Sequence, residues 1–327
     1  MKKAISLIIP VCNDPQFFRV ALDSIKSELD FVYEIIVVDS SSDSNHLTTN
    51  QIIRKFNNPI VRVLKLNKLA YPGEARNIGI INSKADFIGF LDSKTYCKPG
   101  WLKNAYEYLS SSSSHEFYGS MIYAEANTLF QKILRASSYG SIDTRVLVGS
   151  VFKREILNRV GLLNESVRSG EDLDWIKRVG QQGVDIHYPT SSFIIYNGLE
   201  LNLFAAINKY FIYSLQSSKV DILNSYRGLY FYTVLLFTLF IVFNWNATYA
   251  QWDEANPLYI PYITKISITL FFITYILLRG IIRPFARKES LSFMLPFNWI
   301  GVAFVSLILD LVKLPGYLIG YFRNVSK

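Results

Sequence analysis

Residues 4–43 read AISLIIPVCNDPQFFRVALDSIKSELDFVYEIIVVDSSSD. Two unbroken apolar runs, ISLIIPV (5–11) and EIIVVD (34–39), flank a stretch, 15–29, that reads as an amphipathic helix. Continuous rather than alternating apolarity is what a strand buried on both faces requires, and a helix between two such strands implies a parallel crossover. The pattern continues outward: IVRVLKL (60–66) and DFIGFLD (86–92) follow, with amphipathic stretches at 47–57 and 74–83 between the runs. The chain is therefore expected to form an α/β fold, a mostly parallel sheet with right-handed crossovers and helices on both faces. Ligands in such sheets bind at the carboxyl ends of the strands, so the polar residues there are the first candidates for function.

Those ends are acidic. The first run closes on Asn13 and Asp14, the second on Asp39 followed by SSSD (40–43), and the fourth on Asp92-Ser93-Lys94. Between them YPGEARNIG (71–79) turns into a helix that carries Arg76 and Asn77 near its start. Any one of these reads as ordinary helix capping. Together, carboxylates suited to ribose hydroxyls and base N–H groups, with an arginine and helix-start N–H groups for an anion, suit a phosphate-bearing ligand. Further on, Gly170 precedes Glu171 and Asp172 at the start of a helix whose Trp175, Ile176 and Val179 make an apolar face. These acids fit either the positive end of the helix dipole or a general base beside a substrate. No GxGxxG follows the first strand and no GxxxxGK[ST] occurs, which speaks against dinucleotide and P-loop binding.

Composition separates the two ends of the chain. Its 327 residues are 50% hydrophobic and 18% charged, below the usual quarter for a soluble protein. Two cysteines and three histidines, without an HExxH or a His/Cys cluster, argue against a disulfide scaffold or a zinc enzyme. The net charge of +8 is spread without a dense basic stripe, so no nucleic-acid partner is expected. Residues 228–327 hold only 8 Lys+Arg and 4 Asp+Glu. Apolar segments at about 228–250 and 258–278 are long enough to span a bilayer. A third, 290–312, interrupted by Pro296 and Asn298, is either a span or a re-entrant or interfacial segment. The loop after the second span carries Arg279, Arg283, Arg287 and Lys288 against Glu289, whereas the loop before it carries Asp253 and Glu254. The positive-inside rule puts the basic loop, and with it residues 1–227, in the cytoplasm of a multi-pass protein of the cell membrane. The domains expected are 1–199, a connecting amphipathic helix at 200–227, and a membrane region at 228–327.

SLIIPVCND, EIIVVDSSSD, PGEARNIGI, FIGFLDSKTYCKPGWL, VGSVFKREILNRVGLLNE and SGEDLDWIKRVGQQG occur in one order over residues 4–190. This set resembles the family 2 glycosyltransferases, and the resemblance implies the GT-A-like, Rossmann-type fold for 1–199. It also implies inverting transfer of a sugar from a nucleotide-diphospho-sugar donor to an acceptor hydroxyl. On the matching positions, Asn13, Asp39, Arg76, Asp92 and Lys94 would bind the donor, with Asp39 at the base. Asp172 would be the catalytic base with Glu171 as its companion, and Gly149, Ser150, Phe152 and Trp175 would lie on the acceptor side. Asp92 is the first acid of the family's D-x-D and the candidate ligand for Mg²⁺ or Mn²⁺. The second acid is replaced by Lys94, whose ammonium cannot ligate a metal. The lysine can itself neutralise the diphosphate, giving metal-independent transfer, or mark an impaired, scaffold-like nucleotide-sugar binder. The membrane tail suggests a lipid-linked or surface-glycan acceptor and contact with membrane lipids.

Overall fold

The computed structural model describes residues 3–217, 236, 238, 239 and 244–325. The chain forms two compact units, Met1–Gln131 with Ser141–Leu201, and Lys132–Gly140 with Asn202–Lys327. The expected boundary at 199 falls close to Leu201, but the assignment of 132–140 to the second unit has no signature in the sequence.

The first unit is built on one sheet. Strands β1 (Ile5–Val11), β2 (Val32–Asp39), β3 (Val61–Lys65) and β4 (Phe87–Phe90) lie parallel in the order β3-β2-β1-β4. Val11 sits opposite Asp39, and Ile8 opposite both Ile36 and Phe90. The chain winds from β1 to β3 on one side and places β4 on the other, so its winding reverses between β1 and β4. Loops leaving the ends of these two strands diverge, and such a reversal is where open α/β sheets take ligands.

Beyond β4 the sheet becomes mixed. β7 (Thr144–Lys153) runs antiparallel to both β4 and β6 (Phe117–Ala124), while β9 (Ile194–Tyr196) and β8 (Ile186–His187) run parallel to β6. β5 (Thr95–Cys97) closes the order antiparallel to β9. The mostly parallel expectation describes the first half, and antiparallel neighbours in the second need no crossover helix to betray them in the sequence.

Both faces are covered. Ile5, Leu7, Ile9 and Val11 of β1 pack with Phe18 and Leu22 of α1 (Pro15–Ser24), with α2 (Asp43–Phe56), and with Leu102 and Leu109 of α4 (Trp101–Ser111). The alternate face, with Ile8, Ile36 and Val38, meets Ala75 and Ile80 of α3 (Pro72–Asn82) and Trp175 and Val179 of α7 (Glu171–Gln181). Each such large apolar side chain contributes about 1.5–3 kcal/mol on burial, before chain entropy is charged against it. The helix expected over 15–29 ends at Ser24, and Ile25–Phe31 winds as a 3₁₀ segment. That segment carries Glu28, whose buried carboxylate accepts from the N–H groups of Gly100 (2.6 Å) and Leu102 (2.8 Å) at the start of α4.

In the second unit, α8 (Leu203–Ser217) occupies the expected connecting segment, and its 218–227 remainder lies outside the described residues. So does most of the span expected at 228–250. An apolar helix starts at Ile263, passes through a π-helical turn at Leu277–Ile282, and ends at Ala286. The 290–312 run is not one helix. A turn at Leu291–Met294 precedes Pro296, and the long helix begins only at Asn298, reaching Val325. Lys265–Ala286 and Asn298–Tyr317 are long and apolar enough to cross a membrane by length and composition. Along the first, Leu270, Ile273 and Leu278 stand 58%, 49% and 46% exposed, an apolar surface unsuited to water.

Candidate active site

The loops after β1 and β2 interlock. Asp39, fully buried at the end of β2, accepts from the Ser41 N–H at 2.8 Å through one oxygen, and its other oxygen lies 2.6 Å from His46 Nδ1. Ser41 Oγ in turn accepts from the Asn13 N–H at 2.8 Å, and Asn13 Oδ1 accepts from the Ser42 N–H at 2.9 Å. Asn13 takes a left-handed φ of 56°, which asparagine tolerates better than most residues. The next residue, Asp14, holds the Lys94 ammonium at 3.3 Å. Lys94 also lies over the Phe17 ring, 5.7 Å from its centroid.

Two residues before Lys94, the Asp92 carboxylate accepts from Arg76 Nη2 at 2.8 Å, and Arg76 Nη1 reaches Glu171 at 2.9 Å. Arg76 is 2% exposed, and the cost of burying its charge is offset by the two carboxylates that share it. Burial works against the guanidinium, but Asp92 and then Glu171 outweigh it and raise its pKa above the ordinary value. Glu171 receives only half an arginine in return. Burial pushes its pKa up to about 7, against the pull of Arg76 and with help from the neighbouring Asp172 charge. Arg76 Nε and Glu171 Oε2 are buried with no hydrogen-bond partner among the described residues. Gly170, at φ 92°, makes the turn that sets Glu171 and Asp172 at the head of α7. Asp172 is half-buried, and one of its oxygens accepts from the Leu173 N–H at 2.8 Å.

Two linked groups result: Asp39, Ser41, Asn13, Asp14 and Lys94 around the ends of β1 and β2, and Asp92, Arg76, Glu171 and Asp172 from the end of β4 and the starts of α3 and α7, with Lys94 and Asp92 two positions apart in sequence. The four residues expected on the acceptor side do not join them. Ser150, Phe152 and Trp175 are fully buried, and the two aromatic rings pack on each other at 4.9 Å. Gly149, at φ 84°, gives its carbonyl to the Trp101 indole at 2.7 Å, and an added Cβ would lie 2.3 Å from Ile194. Among the described residues, no side-chain hydrogen bond, ion pair or ring contact links these four to the Asp39–Lys94 or Asp92–Asp172 groups, and their partners are core and sheet neighbours. Asn77 is likewise structural: its amide binds the Leu163 carbonyl at 2.9 Å and Glu165 at 2.8 Å.

One residue was not singled out from the sequence: His46, which backs Asp39. It lies seven residues past Asp39 inside α2, where nothing local marks it, whereas Asp14, named at the close of the first run, anchors Lys94. The residues at D-x-D do not form a two-carboxylate metal pair. Asp92 is engaged by Arg76, Lys94 contributes a positive charge, and no group of three His, Cys, Asp or Glu side chains with metal-binding geometry occurs among the described residues.

A family model described as Glycosyl transferase family 2 matches residues 6–170, about half of the chain. The chain is 24% identical over 196 residues to Glycosyltransferase AglE of Haloferax volcanii, a match covering 56% of this chain and 64% of that protein. It is 24% identical over 218 residues to the GalNAc(5)-diNAcBac-PP-undecaprenol beta-1,3-glucosyltransferase of Campylobacter jejuni, covering 64% of this chain and 70% of that one. Among solved structures it is similar to the mannosyltransferase PcManGT of Pyrobaculum calidifontis in complex with GDP-Man and Mn²⁺. That likeness has a TM-score of 0.55 at 14% identity, over 97% of this chain and 88% of that one, and shows the GT-A-like fold.

Proposed function

The chain belongs to glycosyl transferase family 2, and from that premise we propose that it moves a sugar from a nucleotide-diphospho-sugar to a hydroxyl of a lipid-linked or surface-polysaccharide acceptor. The reaction takes place at the cytoplasmic face of a membrane and inverts the anomeric carbon. The observation that carries this reading is the pair of linked groups running from Asp39 to Lys94 and from Asp92 to Asp172. It offers buried acceptors for a nucleoside at one end, a cation in the middle, and a half-buried carboxylate at the other. A linear, anionic donor is the ligand such an order suits.

The roles follow from the chemistry of each group. Asp39, held by His46 and Ser41, takes the base side of the donor. Lys94 meets the diphosphate, where a fixed positive charge stabilises the leaving group as negative charge builds on it. Arg76 stays behind Asp92 and Glu171 and fixes both, a positioning role its burial supports. Asp172 takes the proton of the acceptor hydroxyl as that oxygen bonds to the anomeric carbon. The bond from that carbon to the phosphate oxygen breaks on the opposite face, and its electron pair leaves with the nucleoside diphosphate.

The relatives' names support the acceptor class, since one acts on an undecaprenol-diphosphate-linked glycan. The cytoplasmic orientation is proposed from the basic residues Arg279, Arg283, Arg287 and Lys288, the first two inside the last turns of the Lys265–Ala286 helix and the other two just after it. The test is product analysis with a panel of nucleotide-diphospho-sugars and membrane extract as acceptor. Sugar transfer with release of nucleoside diphosphate is the expected result. Release of pyrophosphate instead indicates nucleotidyl transfer, and donor binding without any transfer indicates a scaffold; either result overturns the proposal.

A further inference from the structure

The second unit contains a pocket of about 320 Å³ that the reaction above does not use. Its walls bring together Arg279, Arg283, Arg287 and Lys313, with Asp310 as the one carboxylate. The three arginines follow at four-residue intervals across the π-helical turn and the last helical turn of the apolar helix. A π turn often marks a functional position in a helix. Asp310 is already shared: it receives Arg279 at 3.0 Å, the Tyr275 hydroxyl at 2.9 Å and Lys313 at 3.4 Å. The next nearest acid in sequence, Glu289, is held bidentately by Arg135 at 2.9 and 3.0 Å. Arg283 and Arg287 therefore have no carboxylate partner among the described residues. Burial, then the charges of Arg283 and Arg279, push the Arg287 guanidinium below its ordinary pKa.

A cluster of four cations against one shared acid asks for an anion with more than one charge. Its location restricts the source. The arginines cap a helix whose preceding turns expose Leu270, Ile273, Leu277 and Leu278. Such a helix, placed in a bilayer, brings its terminal arginines to the headgroup level. The geometry points to a binding site for the phosphate or diphosphate group of a membrane lipid. This inference rests on the membrane placement in the proposed function and deepens its acceptor half, because a lipid-linked acceptor carries this group.

The test uses the full chain and reads binding, not transfer. Binding is measured to phosphatidylcholine vesicles containing a polyprenyl phosphate, to vesicles of matched charge made with a fatty acid, and to inorganic pyrophosphate alone. R283Q replaces an exposed arginine with no carboxylate partner, so the variant is expected to fold. The expected result is a loss of affinity for the phosphate vesicles well beyond the roughly fivefold that one arginine contributes at any anionic surface. A larger loss is expected in R283Q/R287Q, with at most about fivefold per arginine on fatty-acid vesicles and unchanged nucleotide-sugar binding in both variants. Equal affinity of wild type and R283Q for the phosphate vesicles overturns the site. An equal loss on both vesicle types reduces it to diffuse attraction, and tight pyrophosphate binding with no vesicle preference reassigns it to a soluble anion; each overturns the lipid inference. Failure of transfer with lipid binding intact sinks the proposed reaction and leaves the pocket standing.

Discussion

Replacing Lys94 with alanine separates a structural role from a chemical one. Its contact with Asp14 is 3.3 Å long between side chains that are 39% and 26% exposed. Exposed pairs of this kind contribute about 0.2–1 kcal/mol, so K94A is expected to unfold within about 1 kcal/mol of wild type. An ammonium hydrogen-bonded to a diphosphate is worth about 1.5–3 kcal/mol, which converts to roughly a tenfold to hundredfold loss of donor affinity. Because charge on the diphosphate rises as the bond to the sugar breaks, turnover is expected to fall along with affinity. Calorimetric titration of the nucleotide-sugar, single-turnover transfer and urea unfolding, each on both proteins, give the three numbers. K94D adds the complementary arm. With a second carboxylate restored at the motif, donor binding is expected to become dependent on Mg²⁺ or Mn²⁺, while wild-type binding is unchanged by chelator. Donor affinity within about twofold of wild type in K94A, at unchanged turnover, refutes the reasoning.

Other substitutions test the surroundings. R76M removes a guanidinium that is 2% exposed and leaves Glu171 buried beside Asp172. A loss of about 3–5 kcal/mol in urea unfolding is expected, and a loss under 1 kcal/mol contradicts the buried pairing. Glu171 is raised from 4.5 to about 7, so the native state keeps a proton that the unfolded chain releases in between. Wild-type stability should therefore fall relative to E171Q as pH rises through that window, by up to about 3 kcal/mol, and a pH-independent difference between the two sinks the assignment. G149A forces a Cβ to 2.3 Å from Ile194 at a positive φ, and a loss of about 1–3 kcal/mol or more is expected by thermal melting; a neutral outcome removes the packing role given to Gly149.

Much of the first unit was legible because its physics is local. An Ile/Val run buried on both faces leaves a continuous apolar signature, and ISLIIPV coincides with β1 while FIGF marks β4. The polar breaks after those runs placed Asn13, Asp39 and Asp92 at strand ends, where the reversal of winding between β1 and β4 gathers them. What was not legible depends on distant partners. Arg76 and Glu171 are 95 positions apart, and no spacing rule links them. The end of α1 at Ser24 reflects Glu28 being drawn to the N–H groups of α4, a demand made by another element. Phe152 and Trp175 carry aromatic rings suited to a sugar surface as well as to a core, and only packing decides between the two. In residues 290–312 the interruption at Pro296 and Asn298 was visible in the sequence, and the long helix begins only at Asn298.

The central claim is that one carboxylate, at the head of α7, draws the proton from the acceptor while the donor's diphosphate departs. Single-turnover transfer by D172N against wild type, with donor affinity measured on the same samples, tests it most directly. The account predicts intact donor binding and a rate lower by about 10²–10⁴, the usual contribution of a positioned base. Transfer by D172N at the wild-type rate contradicts it.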